Sequence, residues 1–258
     1  MKTLKANRAV GLAMTVIPLA LGAQAQLIDN FTSGDLTPYT QTIVLAQNAD
    51  PGFTFSASSG ALGVSRVLGS GNTPQQDLFL RDDYILSVGY MLRVDASVAI
   101  NSVYSDFGIA VSATKNPPAA VYAGSNVDAR QNYVTVYIKG QTDAVGRAGF
   151  NGTVNAGGNS GTAGVPGLAN VLGLFISRPA ADTFSVGYTT ASGDTVLFSY
   201  AGMNTSIGNA LGFYSDVRAT TSYGFLDNLR LAPIPEPSTF ALLGLGALAS
   251  SFGLRRRK

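Results

Sequence analysis

The residues with the clearest chemical meaning stand at the two ends of this chain. Pro235, Glu236 and Pro237 form a Pro-Glu-Pro triplet that holds the only glutamate among 258 residues. A segment so rich in proline is stiff and extended, and it joins neither a helix nor a sheet. Residues 238–254 follow without a single charge, rich in Leu, Ala and Gly. That length just crosses the hydrocarbon core as one transmembrane helix. Arg255, Arg256, Arg257 and Lys258 then close the chain as a basic stop that stays on the cytoplasmic side. The physical reading is a membrane stop with a rigid, protease-accessible stalk outside it. At the other end, Lys2, Lys5 and Arg8 precede the apolar residues 9–22. Ala23 and Ala25 supply the small residues of a cleavage site, so residues 1–25 read as a signal peptide and Gln26 as the mature start.

The order of stalk, apolar helix and basic end resembles the PEP-CTERM sorting signal, carried here by residues 233–258 with Pro235, Glu236 and Pro237 as its motif. The resemblance implies a partner, an exosortase. This membrane-embedded cysteine transpeptidase would cut near the Pro-Glu-Pro triplet and release the body to the cell surface or extracellular matrix. It also implies a bacterium of Gram-negative type that makes extracellular polysaccharide. Membrane attachment through the C-terminal helix would then be transient.

Between the ends the chemistry is sparse. His, Cys and Trp are absent, which removes imidazole bases, thiol nucleophiles, disulfides and the usual zinc ligands. Seven of the 17 basic residues lie in the two ends, leaving ten in residues 26–232 against 14 aspartates. This mildly acidic body has no basic run, so nucleic acid is not an expected partner. Glycoside hydrolysis needs two carboxyl groups facing one bond, and the sole glutamate lies in the tail. Asp82 and Asp83 are adjacent, which in a strand sends them to opposite faces. Ser112-Ala113-Thr114-Lys115 fits a Ser-x-x-Lys pattern, but its partner boxes are missing and it runs into Pro117 and Pro118. No catalytic residue and no cofactor are expected. Calcium is the one metal the composition leaves room for, and no Asp-x-Asp-x-Asp-Gly loop names its ligands. Tyr133 and Tyr137 share a strand face, where rings cover the sheet more often than they stack on sugars.

These sparse groups must be held by strands. Alternation with period two dominates residues 26–232: at 84–94, at 133–138, and in shorter runs at 43–46, 53–57, 63–68, 107–112, 171–177, 184–189, 196–200, 211–215 and 223–231. Turn signals separate them at 50–52, 70–72, 116–118 and 192–194, and residues 151–167 read as a long surface loop. The expected domain, residues 26–232, is an all-β, two-sheet antiparallel sandwich. Its opening Leu27-Ile28-Asp29-Asn30-Phe31 is echoed by the closing Phe225-Leu226-Asp227-Asn228-Leu229. This pair resembles the end strands of concanavalin A-like lectin and glucanase jelly rolls, where first and last strands are neighbours. The resemblance implies a jelly roll and, as a second functional reading, a carbohydrate-binding module for exopolysaccharide. Its glucanases use paired glutamates, which the body lacks. The leading expectation is an exported, non-enzymatic surface or matrix protein with a structural or adhesive role.

Overall fold

Alternating apolar residues make each strand bury one face, and two sheets meeting face to face satisfy both at once. The computed structural model has this arrangement. It describes residues 24–46, 53–58, 60–66, 75–97, 105–117, 120–123, 126–128, 133–139, 143–149, 171–217 and 225–235, which form strands and turns without a helix. Sheet A runs β14 (Gly193–Tyr200), β13 (Thr183–Thr190), β12 (Gly173–Ala180), β6 (Tyr90–Ser97), β16 (Phe225–Pro233), β4 (Ala61–Arg66) and β3 (Phe53–Ser58), with β1 (Gln26–Asp29) also on β16. Sheet B runs β11 (Asp143–Gly149), β10 (Tyr133–Lys139), β7 (Ser105–Ser112), β15 (Ala210–Val217), β5 (Gln75–Arg81), β2 (Thr40–Ala46), β8 (Ala120–Ala123) and β9 (Asn126–Asp128). The described pairings are antiparallel except β2 with β8.

The core lies between the sheets. Leu92, Val94, Leu174, Ile176, Phe184 and Val186 from sheet A meet Ile109, Val111, Val134, Val136, Ile138, Leu211 and Phe213 from sheet B. A chain of rings runs through it: Phe55 stacks on Phe79 at 4.4 Å, Phe79 on Tyr39 at 4.8 Å, and Phe213 meets Phe31 edge-on at 5.6 Å. Such pairs add about 0.5–1.5 kcal/mol each beyond their burial. Without a disulfide, this burial holds the domain together.

First and last strands are neighbours, as the echoed segments imply: Leu27 pairs with Arg230 and Gln26 with Leu231. Most expected strands are present with shifted limits, and one departs clearly. The alternation over 84–94 becomes a strand only from Tyr90 onward. Tyr84 is held over the Arg81 guanidinium, Leu86 turns into the core, and Gly89 takes a φ of +83° that ends the loop. Consequently Asp82 and Asp83 lie in a bend, not in a strand. β5 carries no readable alternation because both its faces are buried: Leu78 and Leu80 point one way and Phe79 the other. The loop expected at 151–167 and the turns at 50–52 and 70–72 lie outside the described residues, as do residues 1–23 and 236–258.

Candidate functional site

The C-terminal tail leaves the sandwich from a defined place. β16 runs toward Pro233, which pairs with Tyr90 at the start of β6, while Leu231 pairs with Gln26 at the start of β1. The expected mature start and the stalk therefore share one end of the sandwich. Beyond the last pair, the Ile234 amide donates to the Gly89 carbonyl at 2.8 Å, and Pro235 is exposed. Ala25 and Gln26 are exposed too. Ala23, Glu236, Pro237, residues 238–254, expected to form a transmembrane helix, and Arg255, Arg256, Arg257 and Lys258 lie outside the described residues.

The same end carries two buried arginines with different partners. Arg81, closing β5, makes a two-pronged bond to Asp83 at 2.7 and 2.6 Å and reaches Asp29 at 3.6 Å. Its guanidinium lies over the rings of Tyr39 (5.0 Å) and Tyr84 (4.8 Å). The bond to Asp83 pushes the Arg81 pKa up, and the guanidinium holds the Asp83 carboxyl below its usual value. Burial pushes the Tyr39 hydroxyl up, so it stays protonated and donates to Asp29 at 3.1 Å. Arg178, at the end of β12, instead bonds only carbonyls among the described residues: Leu86 at 3.0 Å, Ala181 at 2.8 Å and Thr205 at 2.6 Å. Burial lowers its pKa, yet a guanidinium stays charged in any protein. It staples the 82–89 and 201–209 loops to sheet A.

The outer face of sheet A holds a polar row. Arg93 pairs with Asp194, which also accepts from Thr189 at 2.8 Å. Arg93 lies over the ring of Phe175, which is buried where Gly187 leaves room for it. Arg230 donates to Asp95 at 2.7 Å, and the Asn228 amide donates to Asp95 and Asp227 at 3.0 and 3.2 Å. Asn228 adopts φ 53° where the β16 register slips against β6, a bulge that turns this amide toward β6. In the echoed opening segment, Asp29 caps the Phe31 amide at 2.8 Å and Phe31 likewise has φ 54°. Both Asp-Asn segments thus begin as backbone caps, and both extend into an arginine cluster that spacing alone did not reveal.

The candidate groups named from the sequence are held apart. Asp82 pairs with Lys115 at 3.2 Å while Asp83 pairs with Arg81, so the adjacent carboxylates diverge. That ion pair also takes Lys115 away from a role toward Ser112, whose segment is a strand end and a bend. Among the described residues no three acidic groups cluster as metal ligands. Asp95 and Asp227 both accept from the Asn228 amide, and Asp95 is also paired with Arg230, so these partners already occupy the oxygens a calcium ion would need. Tyr133 and Tyr137 are both buried, Tyr137 against Tyr214 at 4.9 Å, as packing rings would be.

Comparison with known proteins separates tail from body. Residues 233–258 match the PEP-CTERM protein-sorting motif. The tail is a sorting signal. It marks the chain as exported and membrane-transiting. No curated protein matches the sequence. Among solved structures, the chain is similar in fold to lectin UEA-II complexed with galactose, at 12% identity and a TM-score of 0.52 over 82% of this chain and 98% of that one. A lectin from Bauhinia forficata in complex with GalNAc gives 8% and 0.51 over 82% and 99%. The exoplasmic/lumenal domain of VIP36 in a Ca2+/Man3GlcNAc-bound form gives 10% and 0.50 over 83% and 90%. At such identities the likeness is one of fold: a lectin-type jelly-roll sandwich.

Proposed function

We propose that this chain is an exosortase substrate whose sandwich is delivered to the cell surface or extracellular matrix, where it plays a structural or adhesive part without catalysis. The sorting motif carries this reading. The body supports it by commitment of its carboxylates: Asp83, Asp82, Asp95 and Asp194 are each paired with a cation, whereas glycoside hydrolysis needs two carboxyl groups facing one bond. The test replaces Glu236 with Ala in a host that carries an exosortase. A processing signal predicts that export persists while the uncut chain stays in the inner membrane. A plain anchor predicts no change, because Glu236 lies outside the apolar span and contributes nothing to insertion. Identical fractions and masses for both proteins would refute the sorting step.

A second reading is favoured by the polar row on sheet A. Arg93, Asp95, Asn228 and Arg230 present planar hydrogen-bonding groups on a lectin-like sheet, which suits a carbohydrate-binding module for the cell's own exopolysaccharide. Titration of the released protein with that polysaccharide checks it. Binding lost in Arg230→Ala and Arg93→Ala supports the module; no binding leaves the structural role alone. Release of reducing sugar would overturn the non-catalytic reading.

A further inference from the structure

The end of the sandwich that emits the tail also presents its own apolar contact. In the loop between β5 and β6, Ile85 is 54% and Val88 49% exposed, while Leu86 between them is fully buried. The loop is firmly held. The Leu86 amide donates to Gly208 at 2.8 Å, its carbonyl accepts from Arg178, and the Gly89 amide donates to the Arg178 carbonyl at 2.8 Å. Two exposed branched side chains on a pinned loop are not frayed core. Val88 is fixed beside the stalk, because the Gly89 carbonyl next to it is the acceptor of the Ile234 amide, and Ile85 lies three residues earlier on the same pinned loop.

The length of the stalk decides what they face. From Ile234 to Ser238, where the uncharged stretch begins, there are four steps, and two of the intervening residues are proline. At about 3.1 Å per residue an extended stalk spans roughly 12 Å. The headgroup layer on one side of a bilayer is itself about 5–8 Å thick. A stalk so short and stiff brings this end of the sandwich to the membrane surface. The nearest carboxylates in the loop do not oppose such contact, since Asp82 is paired with Lys115 and Asp83 with Arg81.

Resting on the reading of residues 238–254 as a membrane span, we propose that Ile85 and Val88 insert into the headgroup–acyl boundary of the bilayer that holds the tail. This seats the sandwich upright and fixes the height of Pro235-Glu236-Pro237 above the membrane until the chain is cut. The occupant is lipid, and the contact is transient because cleavage removes the tether that keeps two side chains at the interface.

The sequence has no cysteine, so one substitution gives a unique label. The full chain is expressed for export as Val88→Cys or, as a control at the β13–β14 turn, Ser192→Cys. Each is coupled to an environment-sensitive fluorophore and reconstituted in phosphatidylethanolamine–phosphatidylglycerol vesicles with and without spin-labelled lipid. Flotation of the vesicles reports the anchor, and emission reports the contact. The expected result is that both proteins float, and that the label at 88 is blue-shifted and quenched by the spin-labelled lipid while that at 192 is neither. Floating protein with an aqueous, unquenched label at 88 overturns the contact while leaving the tail intact. Protein that fails to float overturns the membrane span, and the contact with it. Carrying Ile85→Ser in the labelled protein is expected to reduce the blue shift without changing flotation; an unchanged shift counts against insertion of the loop.

Discussion

The two outer faces of the sandwich are built on opposite plans. On sheet B the outward residues are Leu78, Leu80, Ala110, Tyr133, Tyr137 and Tyr214, and all are buried. On sheet A they include Arg93, Asp95, Asn228 and Arg230, partly open and laced by ion pairs beside the buried Phe175. Apolar burial stabilises in proportion to area, whereas partly exposed ion pairs yield about 0–1 kcal/mol each. The difference teaches where stability and where function can reside. The outward residues of β5, β7, β10 and β15 in sheet B are closed to solvent and can hardly change without loss of the fold. The row on sheet A contributes little to folding and is therefore available to meet a ligand.

The strongest way to break this contrast is at Tyr137 and its neighbour Gly108. Gly108 stands opposite both Tyr137 and Tyr214 in the register, and the two rings close over it. Tyr137→Ala empties a buried site and is expected to destabilise by about 3–5 kcal/mol, as for other large buried rings. Gly108→Ala acts from beneath. Its Cβ would lie 2.0 Å from the Val136 carbonyl and 2.7 Å from the Tyr137 Cβ, so the strands must part, at a cost of about 1–3 kcal/mol or more. Urea unfolding of both variants measures this. Values under about 1 kcal/mol would mean that the outer face of sheet B is no second core.

These same residues show what could be read from the sequence. Tyr133 and Tyr137 were legible as one face of β10, and covering the sheet was the commoner reading for such rings. Their match to Gly108 was not, because it depends on the β10–β7–β15 register, which local alternation does not set. β5 was hidden for the reason that makes it central: a strand buried on both faces has no period to detect. The tail was legible throughout, since a charge-free run between a proline stalk and four basic residues needs no tertiary context. The arginine clusters were the least legible. Arg81 and Asp29 are brought together where the end of β5 meets the end of β1, and Arg230 and Asp95 by strand pairing across 135 positions.

Substitutions on sheet A sharpen the contrast from the other side. Arg230→Ala removes the bonds to Asp95 and to the Asn228 carbonyl (3.0 Å), and is expected to destabilise by about 1 kcal/mol or less. Arg93→Ala should cost somewhat more, because it also uncovers the Phe175 ring. Thermal unfolding of both, beside the polysaccharide titration, separates the roles. Near-native stability with lost binding assigns the row to a ligand. A loss approaching that of Tyr137→Ala would assign it to the core and erase the difference between the faces.

The smallest effect expected comes from acid, which acts on ion pairs and leaves buried rings alone. Asp83 is the informative group. Its carboxyl is held below the ordinary 3.8 by the bond from Arg81, so folding is favoured by the ionised form. That contribution is fully present above about pH 4 and is lost as the pH falls through the lowered folded-state value. Asp83 has a side chain 54% exposed, so screening keeps the contribution under about 1 kcal/mol, and less in high salt. Asp83→Asn should therefore flatten the acid limb of the stability curve slightly, and only below pH 4. Arg178 offers the internal control: its partners are carbonyls that do not titrate, so its staple persists across the same range. If Asp83→Asn instead lowered stability by several kcal/mol at neutral pH, the Arg81 cluster would be part of the folding core, and burial alone would not account for the strength of this sandwich.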